Sequence, residues 1–193
     1  MDKLAKVIRM LTVAPVMACV LLVTLFLAAP EVYGRTADFV CALVFLTILP
    51  VLAYPMQPIL PGYRDRGREG QRSLAMVFAV SGYVLGCLVN LFLRAPQAMW
   101  IIYLEYLLSG GLILLFNKCF HVKASAHACG VAGPCALLLH FHVPALIPGI
   151  AALALTWWAS LKMKRHTASQ LAGGTVIPVA VLCLLALLFR TGI

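Results

Sequence analysis

Seven long apolar runs, separated by short loops rich in arginine and lysine, leave this chain few residues for anything but a membrane-embedded helix bundle. The runs are Leu11 to Ala29, Phe39 to Leu60, Ser73 to Leu93, Ala98 to Phe116, Ala126 to Val143, Ala145 to Leu161 and Leu171 to Phe189. A helix crossing a bilayer needs about 20 mostly apolar residues, and each run comes close to that. At 63% hydrophobic and 11% charged residues, with a mean hydropathy of +1.01, the chain lies far from a soluble domain. Unpaired backbone polar groups are costly in hydrocarbon, so the runs are expected to be helices. The expected fold is all-α: a polytopic transmembrane helical bundle of six to seven membrane helices, one integral membrane domain over residues 1–193. The first run follows "MDKLAKVIRM" and ends in "APEVYGR" without a clear small-x-small cleavage site, so it is read as a retained helix and not as a signal peptide.

The basic residues are distributed unevenly. If the seven runs alternate direction, the N-terminal face carries Lys3, Lys6, Arg9, Arg64, Arg66, Arg68, Arg72, Lys118, Lys123, Lys162, Lys164 and Arg165, while Arg35, Arg94 and Arg190 fall on the other. The positive-inside rule then puts the N-terminal face in the cytoplasm, and the chain's compactness suggests a prokaryotic cytoplasmic membrane. A net charge of +9 confined to short loops against a membrane points to anionic lipid headgroups as partners and not to nucleic acid. Lys3, Lys6 and Arg9 read as ordinary topology signals.

Seven cysteines scattered mainly through apolar runs, with no CxxC pair, signal neither a disulfide framework nor a zinc site. On the basic face the acids are only Asp2, Asp65 and Glu69, too few and too scattered for a two-metal phosphatase site. No metal and no cofactor is therefore expected. Glu105, alone among the acids in being embedded in an apolar run, is expected to have a polar partner such as Asn90. Trp157 and Trp158 read as interface anchors, and Gly82 with Gly86 as a close-packing GxxxG pair.

Three polar loops carry the candidate chemistry, all on the basic face. "GYRDRGREGQRS" places Arg64, Arg66, Arg68 and Arg72 within nine residues, and guanidinium forks suit phosphate oxygens. In "NKCFHVKASAHACG", Ser125 is the expected N-cap of a helix from Ala126, with Lys123 and His127 beside its free amides. In "SLKMKRHTASQLAGG", His166 and Gln170 are four residues apart. On a helix they share a face, so the amide oxygen of Gln170 can orient the imidazole and leave its other nitrogen free to attack. Lys162, Lys164 and Arg165 add charge beside it.

These loops resemble the three motifs of the membrane type 2 phosphatidic acid phosphatases: lysine with arginine-proline, PSGH, and SRxxxxxHxxxD. "REGQRS", "KASAH" and "ASLKMKRHTASQ" stand in their places, so that residues 64–170 carry the motif loops. The resemblance implies a phosphatase-like helical core in which His166 attacks phosphorus to give a phosphohistidine, with Gln170 orienting it. It also implies that His127 protonates the leaving lipid oxygen and that Arg72, Lys123 and Ser125 hold the phosphate, with Arg68 and Arg165 as candidates to replace the motif lysine and arginine that the chain lacks. The chain departs from the motifs at three positions: Asp65 where the lysine is expected, Ser160 where an arginine precedes the histidine, and Gln170 for an aspartate. The expected function is a metal-independent lipid phosphatase acting on an isoprenyl diphosphate or a phosphatidic acid. The alternatives are an anionic-lipid binder or carrier that has lost turnover, and a small transporter.

Overall fold

The structure, a computed structural model, describes residues 3–120 and 122–190. Those residues form helices and short turns, with no strand among them. Helix α1 (Lys3–Leu11) meets α2 (Ala14–Ala28) at 53°. Pro15 sits in the first turn of α2, where its missing N–H would have no helical partner in any case. A 3-10 turn, Pro30–Tyr33, leads into one apolar helix, Thr36–Met56, made of α3 (Thr36–Leu43), a π-helical stretch (Val44–Ile48) and α4 (Leu49–Met56). Pro50 cannot donate to the Leu46 carbonyl, and the ladder widens there, the Leu49 N–H bonding back to Val44. Helices α5 (Gly67–Leu93), α6 (Gln97–Lys118), α7 (Ala126–His140), α8 (Leu146–Lys162) and α9 (Ala168–Leu188) complete the bundle.

Among the described residues, four helices are long and apolar enough to cross a membrane: Thr36–Met56, Arg64–Leu93, Gln97–Lys118 and Ala168–Leu188. The bent pair α1–α2 makes five if it is a single broken span. Helices α7 and α8, with 15 and 17 residues, fall short of the six to seven spans expected. At about 1.5 Å per residue they reach roughly 22 and 25 Å, against a hydrocarbon core of about 30 Å. The outer surface is apolar, with Phe92 and Ile147 each 82% exposed, as suits a lipid-facing bundle.

The central element is α7, which packs against α2, α6, α8 and α9. It can occupy the middle because its buried side is built of small residues, among them Ala128, Ala132 and Gly133. Gly133 leaves room for the buried Glu105 carboxyl, which a Cβ would approach to 2.8 Å. Glu105 does not pair with Asn90. It accepts a hydrogen bond from Ser109 Oγ at 3.1 Å, one turn along its own helix, whereas the Asn90 amide nitrogen is buried without a partner among the described residues. Gly82 and Gly86 do mark close packing, against the Phe45 carbonyl and the Tyr103 ring. Trp157 is more than an anchor: its Nε1 donates to Thr175 Oγ1 at 3.2 Å and ties α8 to α9.

The seam between α7 and α9 positions the polar end of the bundle. The Ser125 N–H donates to the Gln170 carbonyl at 2.9 Å, and Gly174 of α9 lies directly against the Ser125 carbonyl. A methyl at 174 would collide with backbone, which cannot move aside as a side chain can. Gly174→Ala is therefore expected to destabilise the protein by about 1–3 kcal/mol. Gly111→Ala, in open space on α6, should be neutral or stabilising by up to about 1 kcal/mol. Thermal unfolding in detergent compares them, and equal melting of the two variants would refute the close approach.

Candidate active site

The first turn of α9 is a capping box. Thr167 Oγ1 accepts the Gln170 N–H at 3.4 Å, and Gln170 Oε1 accepts the Thr167 N–H at 3.4 Å. A backbone amide only donates, so the Gln170 atom facing it is the oxygen. That oxygen also lies 3.1 Å from His166 Nδ1. Nδ1 must therefore carry the proton, and the neutral ring keeps its free lone pair on Nε2. Burial, the largest influence, pushes the half-buried His166 imidazole below its ordinary value. Arg9 and Arg72 add to the lowering, and the Gln170 bond opposes it.

The start of α7 is set by Ser125, which caps it by accepting the Ala128 N–H at 3.3 Å. Ser125 is fully buried, and its hydroxyl is engaged by the helix it caps. Two residues on, His127 Nε2 lies 3.0 Å from Thr12 Oγ1. Thr12 Oγ1 in turn donates to the Ile8 carbonyl at 2.8 Å. The hydroxyl has a single proton, already committed to Ile8, so Thr12 accepts from a His127 Nε2–H. Nδ1 is then the His127 atom left for chemistry.

Around these rings the guanidinium groups gather. Arg9 Nη1 donates to Ser160 Oγ at 2.6 Å, and Arg72 and Arg165 lie within electrostatic reach of Arg9. Arg9 acts on both imidazoles, Arg72 acts on His166, and the two histidines act on one another. The ends of α1, α5, α7 and α8 and the α8–α9 turn thus converge at one end of the bundle. Lys123 and Arg68 are exposed and are not among the charges acting on either ring. The nearby acids Asp65 and Glu69 are engaged by Arg64 and Arg66, each pair at 3.2 Å. Such exposed pairs contribute little stability, yet they leave no carboxylate facing the imidazoles among the described residues. Nor do those residues contain a group of three or more His, Cys, Asp or Glu that could hold a metal.

Arg9 and Thr12 were not expected here. Their signal was available in helical spacing, since Ala5 and Arg9 share a face of α1 and Thr12, just past its end and bonded back to the Ile8 carbonyl, continues that face at intervals of four and three. Chemically, the site offers one imidazole with a free Nε2, another held through Nε2, and cations able to neutralise an anion between them. No protein-family model, curated protein or solved structure matches the chain.

The His166 assignment has a direct test. Its pKa, followed by imidazole NMR, should fall below 6.5, so that the ring is a free base at neutral pH. Gln170→Ala removes the opposing influence and should lower it further. A value above 6.5, or a rise in the variant, would contradict the assignment.

Proposed function

We propose that this protein is a membrane lipid phosphatase that hydrolyses a phosphate or diphosphate monoester of a lipid, an isoprenyl diphosphate or a phosphatidic acid, through a phosphohistidine. The observation that supports this most is the complementary setting of the two rings. His166 is held by Nδ1 with Nε2 free, and His127 is held by Nε2 with Nδ1 free, beside guanidinium groups that pair with no carboxylate among the described residues. Phosphoryl transfer asks mostly for such positioning and charge neutralisation.

In this reading His166 Nε2 attacks phosphorus as the bond to the lipid oxygen breaks, and the His127 Nδ1 proton passes to that oxygen. Bound phosphate supplies the negative charge that favours a doubly protonated His127 ring. Water then attacks the phosphohistidine, gives its proton to His127, and releases phosphate and free His166. Gln170 and Thr12 are positioning residues. Arg72 and Arg165 hold the phosphate, with Lys123 and Arg68 at the outer rim. We take all seven apolar segments to cross the membrane, α7 and α8 being short because their polar ends are inset. The excess of basic residues at that end favours the cytoplasmic face of a prokaryotic membrane. The resemblance to the type 2 phosphatidic acid phosphatases supports the same core and chemistry.

Phosphate release from isoprenyl diphosphates, isoprenyl monophosphates and phosphatidic acid, in detergent with EDTA, tests the proposal. Release should persist without divalent metal, vanish in His166→Ala, and fall about 10² to 10⁴-fold in His127→Ala. Binding of these lipids without any release would instead support the carrier.

A further inference from the structure

We propose that Arg9, carried on the surface helix α1, is a phosphate-binding residue of this site and supplies from the N-terminus the guanidinium that position 160 lacks. The inference rests on the phosphatase reading for its ligand, but its geometry stands apart from any turnover.

Helix α1 divides into faces. Ala5, Arg9 and Thr12 turn inward, Ala5 fully buried and Thr12 nearly so, and the helix packs on α8. Lys3 and Lys6 are exposed, as are Leu4 at 61%, Val7 at 50%, Met10 at 71% and Leu11 at 62%. A short helix with an outward apolar stripe, exposed lysines and a 53° bend from the next helix suits the membrane interface, along which it can lie. Arg9 is the basic residue of α1 on the inward face, and it leaves the solvated surface to meet Ser160 at 2.6 Å.

Ser160 is a neutral partner, so it satisfies part of the guanidinium fork without cancelling its charge. Arg72 and Arg165 stand close enough to repel Arg9, and both imidazoles feel it. Guanidinium groups keep their charge at any accessible pH. Arg9 is half-buried while Arg72 and Arg165 are exposed, so water screens part of their mutual repulsion; an anion between them relieves the rest, and a phosphate dianion offers the matching bidentate oxygens. Thr12, one turn beyond Arg9, holds His127, so a single turn of chain delivers both a cation and the acid's orientation. Ser160 also stands where the resembled motif has its arginine, so the contact places the Arg9 guanidinium beside the side-chain position that the motif arginine would fill.

Exchanging the two residues tests this. Inorganic phosphate affinity, measured by calorimetry on the full chain in detergent, is compared among wild type, Arg9→Ala, Lys6→Ala and the double exchange Arg9→Ser with Ser160→Arg. Arg9→Ala should weaken phosphate binding about tenfold or more, Lys6→Ala by less than about twofold, and the exchange should recover most of the loss. Arg9→Ala binding phosphate like wild type, or no more weakly than Lys6→Ala, would overturn the inference. If the exchanged protein does not fold, the comparison of Arg9→Ala with Lys6→Ala decides alone. Lipid phosphate release by the same proteins separates the two proposals. Release that is unaffected in Arg9→Ala would sink the role of Arg9 and leave the phosphatase standing. No release from wild type, with Arg9-dependent phosphate binding intact, would do the reverse.

Discussion

One hydrogen bond between the starts of two helices sets the geometry of the polar end. The Ser125 amide bonds to the Gln170 carbonyl, and Gly174 lets α9 approach the Ser125 carbonyl closely enough for that bond to form. His127 lies two residues beyond Ser125, and His166 is bonded to the side chain of Gln170. The spacing of the two imidazoles is therefore fixed by backbone, the least adjustable part of the structure. Gln170 is used three times: its carbonyl joins the helices, its side chain closes the capping box, and the same side-chain oxygen orients His166. A carboxylate in its place could also orient the ring, but it would add negative charge where the site is otherwise cationic.

The electrostatics are one-sided. Arg64 and Arg66 are engaged by Asp65 and Glu69, while Arg9 and Arg72 act on the imidazoles, and Arg165 on Arg9, with no acid paired to them among the described residues. Arg9 is held by a hydroxyl, a contact that directs the fork without quenching it. Keeping His166 neutral is the natural consequence, since a positively charged ring would join a cluster of cations in a half-buried place. Such a grouping of cations is electrostatically suited to an anion.

What could be read from sequence was local, and what could not was remote. The Ser125 cap and the His166–Gln170 pair follow from spacings of three and four residues along single helices, and both contacts are present. The apolar runs mark the helices: α8 is as long as its run, and α7 ends three residues before its run does because Phe141 to Val143 are drawn into a turn. The Arg9–Ser160 and Thr12–His127 contacts span 151 and 115 residues, and no periodicity connects partners so far apart. Glu105 was misjudged for a different reason. A buried acid needs a partner, but a serine one turn away supplies it more simply than an asparagine on another helix.

The bent N-terminus and the short central helix meet at the same end of the bundle. Helix α7, with His127 in its first turn, has 15 residues, fewer than the long helices that surround it. The start of α9 is held to it through Ser125 and Gln170, so His127 and His166 belong to one polar end. Helix α1 packs on α8 there, with its apolar side outward and Arg9 inward. Within one short helix, therefore, an apolar face that suits lipid and a guanidinium that acts on both imidazoles lie back to back, and the polar groups of this end stand directly beside the apolar surface of the bundle.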